Sequence, residues 1–263
     1  MNQYIDIAVN LLGSSLEAQA AQVIADAAAV GVAPLILIGS ELDESARCID
    51  LCQQYPQQLY STAGVHPHHA SSWQLSSIEQ QRQLCAAPAV VAVGECGLDF
   101  NRNYSTPAEQ RQAFAAQLAL AVELQLPVLM HERDAHDEFL AMVQEYRPQL
   151  NGALLHCFTG DIAQAEAYLA LDLHLGVTGW VCDERRGQAL AEAVKIIPDN
   201  RLLLETDSPY LLPRTLKPKP KSSKNLPQYL PHIAEYVAHL RHQPAEELAH
   251  RCYNNSLRFF GLE

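Results

Sequence analysis

The chain has 263 residues, of which 48% are hydrophobic, enough to fill the core of one large α/β domain spanning residues 1–263. Its 30 acidic and 18 basic residues give a net charge of −12, which excludes a protein that coats nucleic acid by bulk charge. No apolar run reaches the roughly 18 residues that a membrane span needs. The N-terminus lacks the basic and apolar regions of a signal peptide, so we expect a cytoplasmic protein that does not enter a membrane.

The seven cysteines are scattered and odd in number, and none forms a C-x-x-C pair. This usage is typical of reduced thiols in the cytosol, not of a disulfide framework or a structural zinc site.

Short apolar runs alternate with longer helical patterns along the chain. The predicted strands are 4–10, 33–40, 59–66, 90–95, 127–132, 152–157, 173–179 and 201–206. The predicted helices are 16–29, 41–55, 76–87, 107–123, 135–146, 161–171, 187–196 and 231–242. Thr106 is expected to cap its helix before Pro107, and Asp161 to cap a later one.

This alternation predicts eight parallel strands joined by helical crossovers, the α/β architecture of a closed (β/α)8 TIM barrel. A doubly wound open sheet is the alternative. It usually carries a glycine-rich phosphate turn after its first strand, and residues 10–13, NLLG, do not form one.

Residues able to bind a metal stand at the carboxyl ends of four predicted strands: Glu95, His131, His156 and Asp207. Parallel barrel strands end at one mouth, so these residues are expected to converge there. A single histidine at a strand end is more often structural. Four such residues together predict a divalent-metal site, suited to Mg²⁺, Mn²⁺ or Zn²⁺.

The chain resembles the TatD family throughout its length. The segments that carry the resemblance are 61–68, 92–110, 126–136, 154–160, 176–187 and 202–214, which include AVGECGLDFNRNYSTPAEQ and LLLETDSPYLLPR. The resemblance implies a TIM-barrel metal hydrolase that cuts DNA from the 3′ end, normally with Mg²⁺. Its metal ligands would be Glu95, His131, His156 and Asp207.

The first strand departs from the family pattern D-x-H-x-H-L. Ala8 and Asn10 occupy the two histidine positions. Alanine cannot bind a metal and asparagine offers only a neutral oxygen. We therefore expect the site on Glu95, His131 and His156 to persist, and a second site leaning on Asp207 to be weak or empty.

The catalytic candidates are Glu95, Asp207 and Glu205. Glu95 would hold the main ion with the two histidines. Asp207 would orient or deprotonate the attacking water, or bind a second ion. Glu205 would point to the other side of a continuing strand, which favours a supporting role.

The basic residues concentrate after the last predicted strand. Residues 208–231 carry +5 and no acidic group, so the remaining chain carries −17. This segment holds Arg214, Lys217, Lys219 and Lys221. Its position beside Asp207 favours phosphate binding over a solvated loop.

Further substrate-binding candidates follow other strands. Arg102 and Arg133 could bind phosphates, and Tyr104 could stack on an unpaired base. His66 would touch substrate or stabilise its turn. Arg185 and Arg186 lie beside Asp183 and Glu184, and local ion pairs would account for them.

The function that these features favour is a 3′→5′ exonuclease acting on single-stranded DNA or 3′ ends, with RNA a further substrate, in DNA repair or degradation. Two alternatives stay open. One is a deacylase of D-aminoacyl-tRNA or another amidohydrolase-like ester or amide hydrolase. The other is a degenerate barrel that binds nucleic acid without cutting it, which the loss of the two histidines favours. A single barrel is expected to be a monomer.

Overall fold

A computed structural model describes residues 2–263, and it contains a strand that overlaps each of the eight predicted apolar runs. The strands are β1 Tyr4–Val9, β2 Val32–Leu37, β3 Leu59–Ala63, β4 Val90–Asp99, β5 Val128–Arg133, β6 Ala153–Leu155, β7 His174–Val177 and β8 Leu202–Leu204. They form one sheet in chain order. The segment after β8 returns to β1, where Asn10 N donates to Ser208 O over 2.8 Å and Asp207 N to Ala8 O over 3.0 Å. The predicted (β/α)8 barrel is confirmed.

Helices follow the strands as the alternation predicts. They are α1 Ala20–Ala29, α2 Leu42–Gln54, α3 Ser77–Cys85, α4 Pro107–Leu124, α5 His136–Tyr146, α6 Ile162–Ala170, α7 Gln188–Ala193, α8 Leu230–Leu240 and α9 Ala245–Phe260. The sequence analysis missed α9, although its buried Leu248, Cys252 and Phe260 recur at helical spacing.

Two predicted helix caps are present. Thr106 and Glu109 form a capping box at the start of α4, and Pro107 takes the first helical position. At α6, the Asp161 carboxylate accepts the backbone N–H of Gln164 over 3.0 Å. Both caps satisfy donors that the first helical turn leaves without partners.

The chain divides into two compact units. One comprises residues 1–37, 157–169 and 174–263, and the other comprises residues 38–156 and 170–173. We call them the terminal unit and the central unit. In the central unit, Phe114 and Phe139 stack with ring centroids 5.4 Å apart. In the terminal unit, the buried Asp6 carboxylate accepts from Thr206 N and Oγ1 over 2.9 and 2.5 Å.

Strand β4 is irregular at its centre. Val93 pairs with Val128 and Cys96 pairs with Met130, so one extra residue lies on β4 between these pairs. Such a bulge bends a strand and redirects a side chain. The bulge contains Gly94 and Glu95, one of the predicted ligands.

No helix within residues 2–263 has the length and apolar character needed to cross a bilayer.

Candidate metal centre

One carboxylate oxygen in the central unit lies among three imidazoles. Glu95 Oε1 is 2.7 Å from His156 Nε2, 3.2 Å from His131 Nδ1 and 3.4 Å from His66 Nε2. Glu95 and His156 are buried, at 5% and 3% exposure. The predicted residues Glu95, His131 and His156 therefore come together, and His66 joins them.

This arrangement fixes the charge of Glu95. Burial alone would raise the pKa of the carboxyl, but the imidazoles of His156 and His66 and hydrogen bonds from His131 and His156 outweigh it. The pKa therefore lies well below its usual range. Glu95 is a carboxylate at neutral pH, the form that binds a cation.

Asp99, at the end of β4, completes the cluster. Residues 95, 97 and 99 share one face of the strand because side chains alternate. Asp99 Oδ2 lies 3.5 Å from His131 Nε2 and 2.7 Å from His68 Nε2. Its other oxygen accepts the backbone N–H groups of Asn101 and Arg102 over 3.0 and 2.8 Å. The turn after β4 thus holds this carboxylate behind His131.

His131 lies between two carboxylates. Burial alone would lower its pKa, but hydrogen bonds to Asp99 and Glu95 raise it above its ordinary value. Surroundings that favour a proton on this ring equally favour a cation beside it. A histidine ligand commonly donates its second N–H to a carboxylate, and Asp99 is placed to accept it.

His66 differs from the other two histidines because its Nδ1 accepts the backbone N–H of His68 over 3.0 Å. Burial lowers the pKa of His66 to about 4, against the attraction of Glu95, so the ring is neutral near pH 7. A neutral ring that accepts at Nδ1 carries its proton on Nε2. His66 is therefore a hydrogen-bond donor toward Glu95.

The donor set fits a divalent cation. The ligand atoms of His66, Glu95 and His131 all lie within 4.8 Å of one another. His156 Nε2, 2.7 Å from Glu95 Oε1, places a further imidazole beside the carboxylate. One carboxylate with two imidazoles is a common set for transition metals.

The terminal unit contains the other catalytic candidates. Asp207 follows β8, and its Oδ1 accepts from Asn10 Nδ2 over 2.8 Å. Asn10, at one of the two absent-histidine positions, therefore orients Asp207. Ala8 is fully buried.

Glu205 lies beyond the end of β8, because that strand stops at Leu204. Its side chain is buried, and its Oε1 accepts the backbone N–H of Cys157. A Cβ atom on Gly176 would lie 3.0 Å from the Glu205 carboxyl, so this glycine makes room for it. The alternation predicted for Glu205 does not apply, because the strand does not reach it.

The aromatic candidate Tyr104 is exposed and lies edge-on to His68, with ring centroids 4.8 Å apart. Arg102 and Arg133 are exposed near the ends of β4 and β5. Asp99 and His68 were not among the predicted site residues, although the alternation from Glu95 along β4 was a signal for Asp99.

The basic segment 208–231 is anchored at its end and exposed in its middle. The buried Asn225 Nδ2 donates to Thr206 O over 2.8 Å. Lys224 Nζ donates to Ser15 O over 2.9 Å. The predicted lysines Lys217, Lys219 and Lys221 are exposed, as is Arg214.

A parallel eight-stranded barrel with a buried carboxylate among histidines defines a metal-dependent hydrolase of the TIM-barrel class. Within that class the chain belongs to the TatD related DNase family, whose model matches residues 5–261.

Curated relatives cover almost the whole chain. The 3′-5′ ssDNA/RNA exonuclease TatD of Citrobacter rodentium is 51% identical over 98% of this chain and 97% of its own length. The protein of the same description from Erwinia tasmaniensis is 49% identical over 98% of this chain and 99% of its own length.

Solved structures share the fold. The TatD homologue YJJV of Escherichia coli K12 superposes with a TM-score of 0.89 at 29% identity, covering 99% of this chain and 98% of that one. A phosphotriesterase homology protein of Escherichia coli gives a TM-score of 0.67 at 14% identity over 98% and 99% of the two chains. The second likeness concerns the fold alone.

Proposed function

We propose that this enzyme is a metal-dependent 3′→5′ exonuclease that acts on single-stranded DNA and RNA. The observation that carries the proposal is the buried Glu95 carboxylate with His131 and His156 around one oxygen. Relatives about half identical over nearly the whole chain carry the description 3′-5′ ssDNA/RNA exonuclease. The intact cluster argues against a degenerate, non-catalytic barrel.

Glu95, His131 and His156 would hold the cation. When bound, the ion neutralises charge on the phosphate oxygens and lowers the pKa of a bound water. Asp99 Oδ2, 3.5 Å from Nε2 of His131, would favour a proton on that nitrogen, which would leave the Nδ1 lone pair facing Glu95. His66 carries its proton on Nε2 and would donate it to a non-bridging phosphate oxygen.

Asp207 would take the proton of the attacking water or help to bind a second ion. Its contact with Asn10 holds the carboxylate in one orientation, which supports this role. Glu205 would act as a positioning residue, since its carboxylate accepts the N–H of Cys157.

The strand would be held by exposed groups. Lys217, Lys219, Lys221 and Arg214 would bind phosphates with Arg102 and Arg133, and Tyr104 would stack on a base. A preference for single strands follows, because a base is open to stacking only when it is unpaired.

Two arguments lead to different expectations for the native metal. The family resemblance predicts Mg²⁺. A set with two imidazoles and one carboxylate binds Mn²⁺ or Zn²⁺ with higher affinity, because Mg²⁺ prefers oxygen ligands. Restoring the chelated enzyme with each ion in turn tests both.

We also propose that the enzyme works as a monomer in the cytoplasm, in DNA repair or degradation. The seven free cysteines fit a reducing compartment. Sedimentation of the purified protein tests the oligomeric state.

The test of the function uses 5′-labelled single-stranded DNA and RNA. We expect a ladder of shortening products and released mononucleotides, abolished by EDTA and restored by a divalent metal. Glu95→Gln should lower kcat by more than about a hundredfold, since groups behind a metal ligand are already worth about 10- to 100-fold.

The control is Glu145→Gln, which neutralises an exposed carboxylate on α5 and should retain full activity. Near-normal nuclease activity in Glu95→Gln would contradict the assignment. Release of a free amino acid from D-aminoacyl-tRNA, without nucleotides, would instead identify a deacylase.

A further inference from the structure

Three arginines in the terminal unit surround one buried carboxylate. Arg186 Nε and Nη2 lie 3.0 and 2.9 Å from Asp183 Oδ2. Arg185 Nε and Arg214 Nε lie 3.5 and 3.8 Å from Asp183 Oδ1. We call Arg185, Arg186 and Arg214 the arginine cluster.

The chain brings these residues together from two neighbouring connections. Arg185 and Arg186 follow β7, after the 3-10 helix Gly179–Cys182, and Arg214 follows β8. Strands β7 and β8 are paired and parallel, so both connections leave the same end of the sheet. In TIM barrels the loops after strands 7 and 8 frequently form a phosphate-binding site.

Local structure already satisfies Asp183. Its Oδ1 accepts the backbone N–H groups of Arg185 and Arg186 over 3.0 and 3.3 Å. Burial alone would raise its pKa, but these backbone bonds and the guanidinium groups of Arg186 and Arg185 hold the pKa well below its usual range. Arg214 Nε also lies 3.7 Å from Oε2 of the exposed Glu184. Three guanidinium groups therefore face two carboxylates, one guanidinium more than neutrality requires.

The cluster carries unused binding capacity. With Asp183 and the exposed Glu184, the three arginines leave a local charge of +1, and the adjoining segment 208–231 contains no acidic residue. Arg185, Arg186 and Arg214 side chains are 58%, 59% and 43% exposed. Across residues 2–263, the Nη nitrogens of Arg185 and Arg214 donate no hydrogen bond to another residue.

Arg186 is also held in place before a ligand arrives. The Arg186 guanidinium lies over the ring of Trp180, with Cζ 4.4 Å from the centroid. This stacking and the two contacts with Asp183 restrict a long side chain, so less conformational entropy is lost when it binds an anion.

We propose that the arginine cluster binds phosphates of the nucleic-acid strand other than the phosphate being cut. This inference rests on the proposed exonuclease function and extends the substrate contacts to residues that local ion pairing would otherwise explain. Bidentate guanidinium groups suit phosphate oxygens, and these contacts are independent of base sequence.

The experiment measures turnover of an oligothymidine and of a thymidine dinucleotide over a range of salt concentrations. The variants are Arg185→Gln with Arg186→Gln, Arg214→Gln, and the triple variant. For the oligothymidine, each lost phosphate contact should reduce the slope of log KM against log salt by about 0.7. The kcat of the variant with Arg185→Gln and Arg186→Gln for the dinucleotide, which has no remote phosphates, should stay at the wild-type value.

Two controls accompany these variants. Arg82→Gln removes one charge from an exposed ion pair with Glu79 and Glu123 and should leave the slope unchanged. Lysine at all three cluster positions keeps the charge and should retain most of the slope. If the double or triple glutamine variant misfolds and loses dinucleotide turnover, two sets of variants replace it. These are glutamine at single cluster positions, which should lower the salt slope, and the lysine variant, which should retain most of it.

The outcomes separate the inference from the proposed function. A wild-type enzyme that releases no nucleotides would overturn the function itself. A wild-type enzyme that cuts the oligothymidine, with glutamine variants that share its salt slope, would overturn the inference alone. The arginines would then only neutralise Asp183.

Discussion

At the residue scale, the cluster depends on which nitrogen of each histidine carries the proton. The backbone N–H of His68 fixes the proton of His66 on Nε2, and Asp99 favours a proton on Nε2 of His131. The nitrogen that faces Glu95 therefore differs between the two histidines. In His66 it carries a proton and can donate a hydrogen bond, whereas in His131 it has a lone pair that can bind a cation.

Replacing Asp99 tests this assignment. Asp99→Asn removes the charge behind His131 and the preferred acceptor for its Nε2 proton. We expect metal affinity and kcat to fall by about 10- to 100-fold, the usual effect of losing such a partner. Calorimetric titration of the metal-free protein with Mn²⁺ measures the affinity.

The control is Asp134→Asn, an exposed carboxylate whose only described partner is Asn101, over 2.6 Å. It should leave the metal affinity unchanged. Equal affinities for wild type and Asp99→Asn would show that Asp99 serves only the turn after β4.

Asn10 offers a second test at this scale, because its amide donates to Asp207 over 2.8 Å. Asn10→Ala should lower kcat about fivefold, which corresponds to one hydrogen bond of about 1 kcal/mol. The matched control is Asn254→Ala, an exposed amide paired with His250 on α9. If kcat were unchanged in Asn10→Ala, Asp207 would not need this orientation.

At the element scale, β4 carries both carboxylates of the central cluster, and its glycines allow it to do so. Gly97, between Glu95 and Asp99, has φ +145°. A Cβ atom there would overlap the carbonyl oxygen of His131 on the neighbouring strand. The close approach of β4 and β5 is thus tied to the position of His131, a proposed metal ligand.

Gly97→Ala should therefore lower both stability and metal affinity. The clash and the unfavourable φ should reduce the free energy of unfolding by more than about 2 kcal/mol. Gly261→Ala is the control, since Gly261 also has a positive φ of +64° but nothing lies within 4 Å of its added Cβ. That variant should lose only about 1 kcal/mol and keep its affinity for Mn²⁺.

Chemical denaturation followed by circular dichroism measures the first quantity, and metal titration the second. A Gly97→Ala protein with wild-type affinity would show that β5 can move without displacing His131.

At the scale of the whole molecule, a buried acid makes stability depend on pH. Burial raises the pKa of Asp6 to about 8, despite hydrogen bonds from the Thr206 hydroxyl and backbone that lower it, and nearby Glu205 adds to the rise. The group is protonated in the folded protein over a range where the unfolded chain has lost the proton.

The sign of the effect follows from linkage. Because the folded pKa lies above the unfolded one, Asp6 contributes its full stability below about pH 4 and loses it as pH rises toward 8. Asp6→Asn cannot titrate. Wild type should lose stability relative to this variant between pH 4 and 8, by up to about 1.4 kcal/mol per pH unit.

Urea unfolding in EDTA at a series of pH values measures the difference. If the free energy of unfolding changed with pH in the same way for wild type and Asp6→Asn, Asp6 would be ionised in the folded state.

The charge distribution also belongs to this scale. A net charge of −12 would repel a polyanion, yet +5 lies within residues 208–231. The exposed lysines of that segment and the arginine cluster both belong to the terminal unit. The positive electrostatic potential that would attract a nucleic-acid strand is therefore local.

Much of the architecture follows from local pattern. Short apolar runs and their spacing predicted all eight strands, and the caps at Thr106 and Asp161 followed from residue type. Helix α9 was not predicted because it follows α8 with no strand between them, so it lies outside the strand–helix alternation. Glu95, His131 and His156 were predicted as a set because parallel strands end together.

The sequence by itself determined the barrel, the family and the candidate ligand residues, since hydrophobic patterning and residue type at strand ends are local properties. Only the tertiary structure decided that Asp99 stands behind His131, that His66 donates and that Asn10 holds Asp207. It also brought Arg214 to Asp183. Hydrogen-bond partners distant in the chain depend on strand register and side-chain direction, and local propensity specifies neither.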